Sequence, residues 1–299
     1  MQNLLEQIRV RVIRHADKTS MTTAIPRVSV AIARNNSGPD NTICGPGVCL
    51  VLQGTKQLVL GDETLRQDAG FSLATLVELP ATRCLFETEK RAPYIAVGLT
   101  LDRNTFAEML ADLSPISSQR TVPCFSIAKD SRHLLEAWDR HLELLDTPGD
   151  IPALAAVRER ELLYRLLQSP HGLLLSQIAR DEGRLAQMRQ AIDWMRVHFD
   201  EPFSAKSLAD IAGMSIPAFN RHFRTATSTS PLQYQKMLRL QAARHLLAKN
   251  TDATRTAYAV GYESTSQFNR EYARHFGIPP KRDALKLTKE LGVEEKIMI

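Results

Sequence analysis

The sequence predicts an α+β chain of two domains: an N-terminal β barrel or sandwich with helices following it, and an all-α C-terminal domain holding two helix-turn-helix units. Three observations carry this. A length of 299 residues is long for one compact domain and suits two. Short apolar runs broken by Gly and Pro fill residues 42–102 and then give way to helical periodicity. The segment FNRHF at 219–223 returns as FNREY at 268–272, 49 residues later. The expected division is 1–183 and 184–290.

At the N-terminus, MQNLLEQIRVRVIRHADK mixes charges into its apolar positions and lacks the core of a signal peptide. The longest apolar runs, CLVLQ from Cys49 and GLLL from Gly172, fall well short of the roughly 18 residues that a spanning helix needs. A cytoplasmic location and no membrane partner are therefore expected. The runs GPGVCLVLQG, QLVLGDETL, AGFSLATLVELP and PYIAVGLTL read as strands and turns of an antiparallel sandwich or barrel.

Helical periodicity follows in DRNTFAEMLADL, SRHLLEAWDRHLELLD and IPALAAVRERELLYRLLQ, up to the break at Ser169 and Pro170. Leu134, Leu135, Trp138, Leu142 and Leu145 form a stripe that reads as core or as a homodimer seam, with core preferred. The second domain opens with RLAQMRQAIDWMRVHF, whose Met188, Ile192, Met195 and Phe199 share a face. Shorter helices continue to the end, with Pro and Gly at their edges.

Charge separates the two parts. Residues 186–299 carry 17 Lys plus Arg against 11 Asp plus Glu, whereas the rest carry 21 against 22. A basic C-terminal domain suits a polyanion. Cys44, Cys49, Cys84 and Cys124 form no CxxC pair and read as reduced thiols. All four lie in the N-terminal half, and Cys84 beside Arg83 and the turn residue Cys44 are the candidates for a redox sensor, set against the plainer reading of packed, inert thiols.

Each copy of the repeat has the same preamble: Leu208, Ala209 and Gly213 before the first, Thr256, Ala257 and Gly261 before the second. Helix, glycine turn and second helix is the plan in which the second helix enters a DNA major groove. Residues four apart stack on one helix face, so Phe219 and Phe223 anchor the first reader and Phe268, Tyr272 and Phe276 the second. That leaves Ile216, Pro217, Asn220, Arg221 and Arg224 outward in the first, and Thr265, Ser266, Asn269, Arg270 and Arg274 in the second. Ser215, Ser264 and Gln267 complete the candidate set, and Lys206, at the entry to the first motif helix, is expected on a phosphate. Arginine can donate two hydrogen bonds to guanine, asparagine matches the adenine edge, and apolar or Thr methyls meet thymine.

The stretches SLADIAGMS, FNRHF, SPLQYQKMLRLQAARHLL, VGYES and FNREYARHFGIPP, within about Met188 to Asp283, resemble the DNA-binding domain of the AraC/XylS family of transcription regulators. The resemblance implies two helix-turn-helix units joined by a linker helix, here about Pro231 to Lys249, that sets the readers in successive major-groove turns. GVCLVLQGTKQLVLGD, LPATRCLFE and APYIAVGLTLD resemble the cupin-like N-terminal domain of one subgroup, implying sensing or dimerisation. Double-stranded DNA, RNA polymerase, an unidentified small-molecule effector and a second copy are the implied partners; no cofactor is implied. Thr256 departs from the pattern, because Leu208 stands at the matching place in the first unit and the family generally has a large aliphatic residue there. With Ala253 and Thr254 it predicts looser packing of the second unit.

Three rivals are weighed. A cupin-like barrel enzyme would use clustered histidines, yet all eight histidines fall outside the expected strands, and Glu78, Glu87 and Glu89 read as solvated strand edges. An RNA binder would expose aromatics for stacking, whereas these fall on the buried stripes. A DNA-binding protein without an effector is the third alternative. Activation and repression both fit the sequence.

Overall fold

The computed structural model describes residues 1–16, 21–33, 43–60, 63–80, 83–88, 92–111, 123–178, 184–249 and 252–287. Helix α1 (Gln2–His15) leads into β1 (Val28–Ala33), β2 (Ile43–Cys44), β3 (Gly47–Gln53), β4 (Thr55–Leu60), β5 (Glu63–Asp68), β6 (Phe71–Thr75), β7 (Leu79–Pro80), β8 (Arg83–Glu87) and β9 (Tyr94–Thr100). Then come α2 (Arg103–Ala111), β10 (Phe125–Lys129), α3 (Arg132–Leu142), α4 (Ile151–Leu167) and the short α5 (Gly172–Leu175). The C-terminal part holds α6 (Arg184–Val197), α7 (Ala205–Ile211), α8 (Ile216–Thr227), α9 (Pro231–Ala248), α10 (Ala253–Ala259) and α11 (Thr265–Phe276).

The strands form an antiparallel five-stranded sheet in the order β1-β9-β3-β6-β10, a three-stranded sheet β5-β4-β8, and the pair β2-β7. Successive side chains of a strand point to opposite faces, so a strand covered on both sides is apolar throughout. The interior strand β9 shows this. Ile95, Val97 and Leu99 join one core with Val30, Val48 and Leu50, roofed by Ile8 and Val12 of α1, Leu134, Leu135 and Trp138 of α3, and Leu162, Leu163 and Leu166 of α4. The stripe from Leu134 to Leu145 is thus core.

Tyr94 and Ala96 face the other way. They meet Val51, Leu58, Leu60, Leu73 and Phe86, and this second core continues into Met188, Ile192 and Met195 of α6 and Phe219 and Phe223 of α8. A third core, built on Leu240, Leu247, Ala257, Phe268, Tyr272 and Phe276, holds α10 and α11 on the far half of α9.

Three elements go beyond the sequence reading. Helix α1 packs its Ile8 and Val12 face under the sheet, β1 pairs with β9 from Val28↔Leu99 to Ala33↔Tyr94, and β10 pairs with β6 from Phe125↔Thr75 to Lys129↔Phe71. The last two residues of the expected helix DRNTFAEMLADL, Asp112 and Leu113, and the residue Glu89 lie outside the described residues.

Candidate nucleic-acid interface

The first unit is assembled from local rules. Ser204 caps α7 by accepting the Ser207 amide at 3.0 Å, and Ser207 Oγ accepts the Ser204 amide at 3.1 Å, a reciprocal box that ties down two orphan donors. The helix ends in a left-handed Gly213 (φ 60°), with Met214 N–H donating to Ala209 O at 2.9 Å and Gly213 N–H to Asp210 O at 3.1 Å. This is the Schellman closure, which turns the chain sharply enough for a second helix to start within two residues. Ser215 then caps α8, accepting the Ala218 amide at 3.4 Å, and Pro217 sits in the first turn, where no amide donor is missed.

The second unit repeats the construction. Asp252 caps α10 through the Thr254 and Arg255 amides, Gly261 (φ 84°) closes it with Tyr262 N–H on Ala257 O at 3.0 Å, and Ser264 caps α11 through the Gln267 amide at 3.4 Å. Ser215 and Ser264, expected among the outward contacts, are exposed but also serve as these caps.

Aromatic anchors orient both readers. Phe219 and Phe223 are fully buried, their rings 5.5 Å apart, and Phe223 meets Tyr234 of α9 edge-on at 5.5 Å. Phe268, Tyr272 and Phe276 form the matching stack on α11. Tyr272 also donates to Asp283 Oδ2 at 2.7 Å, as does Arg244 Nε at 2.9 Å, which pins the chain after α11 to α9. Burial and the Asp283 carboxylate push the Tyr272 hydroxyl above its ordinary range, so it stays a donor.

With the anchors inward, the opposite faces are exposed: Ser215, Ile216, Pro217, Asn220, Arg221 and Arg224 on the first reader, and Ser264, Ser266, Gln267, Asn269, Arg270 and Arg274 on the second. Thr265 is half-buried and Lys206 is exposed on α7. Among the described residues, no carboxylate is paired with Arg221, Arg224, Arg270 or Arg274. Sequence reasoning missed Arg255, Lys281 and Arg282, exposed cations beside the second reader. Arg255 lies in the first turn of α10 as Lys206 lies in that of α7, although aligning the two preambles sets Lys206 opposite Thr254.

Several expectations are corrected. In the second unit Thr256 and Ala257 are fully buried. The departure of Thr256 from an aliphatic residue shows as a buried hydroxyl without a hydrogen-bond partner among the described residues. Glu78 is no solvated edge: its side chain is only 11% exposed and pairs with Arg196 of α6. Burial pushes its carboxyl above the usual range, against the pull of Arg196. Cys84 is buried in β8 and lacks the exposure a sensor thiol needs; Cys124 is buried too, and burial pushes its thiol up to about 12. The side chains of Cys44 and Arg83 lie outside the described residues. Among the described residues there is no group of three or more His, Cys, Asp or Glu side chains that could hold a metal ion.

Comparison with known proteins supplies the family. A model of the AraC-type transcriptional regulator N-terminus matches residues 24–174, and a helix-turn-helix domain model matches residues 208–284. The chain belongs to the AraC-type transcriptional regulators. Within that family it is 31% identical over 152 residues to the HTH-type transcriptional activator RhaS of Escherichia fergusonii, covering 50% of this chain and 54% of RhaS. RhaS of Citrobacter koseri is 31% identical over 150 residues, covering 47% and 52%. The chain thus spans about half the length of the curated relatives it matches. Among solved structures, unsaturated fatty acid bound ToxT of Vibrio cholerae matches with a TM-score of 0.57 over 86% of this chain and 94% of ToxT. At 10% identity this likeness of ToxT to the AraC-type chain is one of fold. Among the described residues, no helix is long and apolar enough to cross a membrane.

Proposed function

We propose that this regulator controls transcription by binding duplex DNA with α8 and α11 in successive major-groove turns, under the control of a small organic effector held by the N-terminal domain. The observation that carries the reading is the duplication on the surface: Asn220–Arg221 and Asn269–Arg270 stand exposed beside the same buried aromatic anchor in two units joined by α9. Two unrelated solvated faces have no reason to repeat that pair. Arg221, Arg224, Arg270 and Arg274 are assigned to guanine edges or phosphates, Asn220 and Asn269 to adenine edges, and Ile216, Pro217 and Thr265 to thymine methyls. Lys206 is assigned to phosphate.

The division at residues 183 and 184 separates the effector domain from the reader. Support for an effector comes from the family and from the ToxT fold, whose solved structure holds an unsaturated fatty acid. RNA polymerase and a second copy of the chain are the further partners, and the cytoplasm is the compartment, that this function implies.

The test starts from duplexes selected out of a random-sequence pool by the full chain. Arg221→Ala should cost about 1–3 kcal/mol and relax preference at one base pair, while Lys206→Ala should weaken all duplexes alike. Unchanged affinity and base preference in Arg221→Ala would overturn the groove assignment.

A further inference from the structure

The turn that follows α6 is gripped from two sides. Its carbonyls at Phe199, Asp200 and Glu201 point at the middle of α9, where Arg239 donates to all three: Nε to Phe199 O at 2.7 Å, and Nη2 to Asp200 O at 3.0 Å and Glu201 O at 3.2 Å. Gln235, one turn earlier on α9, adds bonds to Phe199 O at 2.9 Å and Glu201 O at 2.6 Å. Carbonyls beyond a helix end lack partners of their own, and a forked guanidinium satisfies several at once in fixed geometry.

The other side of this turn meets the second unit. A Cβ on Gly261 would stand 2.0 Å from Asp200 O and 2.7 Å from its carbonyl carbon, so the α10–α11 turn packs backbone to backbone against the end of α6. Only glycine permits that approach, and its φ of 84° disfavours other residues independently. The next residue, Tyr262, lies under the Arg239 guanidinium at 5.9 Å and donates to Glu271 Oε2 of α11 at 2.9 Å; Glu271 in turn pairs with Lys236 of α9 at 3.0 Å. Burial alone would raise the Glu271 carboxyl, but Lys236 and Tyr262 hold it below the ordinary range, so it stays charged. The Phe199 ring packs against the cores of both units.

We infer that Arg239 and Gly261 form a brace that fixes α11 relative to α8, so that the regulator selects operators by the distance between their two half-sites as well as by base sequence. Arg239 is a positioning residue: it acts on DNA through the angle between the readers. The inference rests on the two-reader function proposed above. A braced pair cannot follow a half-site that moves around the DNA axis when a base pair is inserted, whereas a pair joined by α9 alone can adjust.

The experiment uses the full chain and the best duplex selected from a random-sequence pool, together with derivatives carrying one base pair more or fewer between the two protected segments. The readout is the ratio of affinities for the original and respaced duplexes. A variant that is merely less stable weakens both alike and leaves the ratio unchanged. Wild type should show a ratio of about tenfold, Arg239→Gln one near unity, and Arg239→Lys, which keeps the charge but not the fork, a value between them. Gly261→Ala should behave as Arg239→Gln where it folds, and the Arg239 variants carry the test where it does not. A wild-type ratio retained in Arg239→Gln overturns the brace and leaves the two readers standing. A wild-type ratio near unity also overturns the brace, whereas a single protected segment on the selected duplex would overturn the two-reader function itself.

Discussion

The two helix-turn-helix units share caps, turns and anchors, yet they are attached differently. The first unit is continuous with the β domain. The Cys124 amide donates to Ala226 O at the end of α8 at 3.1 Å, Ser228 Oγ donates to Glu63 Oε2 at 2.9 Å, and Tyr234 of α9 donates to Glu78 O at 2.6 Å. In the second unit α11 ends at Gly277, where a Cβ would meet no atom within 4 Å, and its core is made of α9–α11 and the segment that follows, with Phe199 packed against it from the turn after α6. Among the described residues these hydrogen bonds tie the β domain to α8, α9 and the turn between them, while α9 and the turn gripped by Arg239 tie the second unit to the first.

The largest expected effect comes from emptying one anchor in each unit. Phe223→Ala and Phe268→Ala both delete a fully buried ring, each at a cost of about 3–5 kcal/mol. Hydrogen exchange should separate them. Phe223→Ala should lower protection in β4 and β6 along with α8, because its core is shared, whereas Phe268→Ala should lose protection in α10 and α11 and spare the strands. Loss throughout the β domain after Phe268→Ala would show that the two attachments are equivalent.

A smaller contrast lies in the C-caps. Ser228 adopts the left-handed conformation (φ 55°) that Gly277 adopts at the end of α11 (φ 72°). Gly277→Ala should destabilise the chain by about 1 kcal/mol through this backbone cost alone, since the space around it is open. Ser228→Gly removes the same kind of cost while losing the exposed bond to Glu63, so denaturation should show a change from zero to a gain of about 1 kcal/mol. A clear loss of stability in Ser228→Gly would make the Ser228–Glu63 contact a stronger tie between the domains than its exposure suggests.

The second domain was more legible in the sequence than the first. Its helices carry local signals, caps at Ser204, Ser215, Ser230, Asp252 and Ser264 and glycines at the turns, and its readers repeat within one chain. The outward residues expected from fourfold spacing are exposed, apart from the half-buried Thr265. What the sequence hid depends on distant partners. Strand β10 is five residues long and finds its place only by pairing with β6 some fifty residues earlier, and β1 needs β9. Glu78 looked solvated because the helices that bury it, α6 and α9, lie more than a hundred residues away. Likewise the Arg239 side chain reads as one more surface cation until the turn at Phe199–Glu201 is folded beside it.

The central claim is that both units read DNA, and a hydroxyl-radical footprint of the full chain on its selected duplex tests it most directly. The account predicts two protected segments on one face of the duplex, about 34–36 Å apart, with Arg221→Ala thinning one and Arg270→Ala the other. A single protected segment that Arg270→Ala leaves unchanged would contradict it.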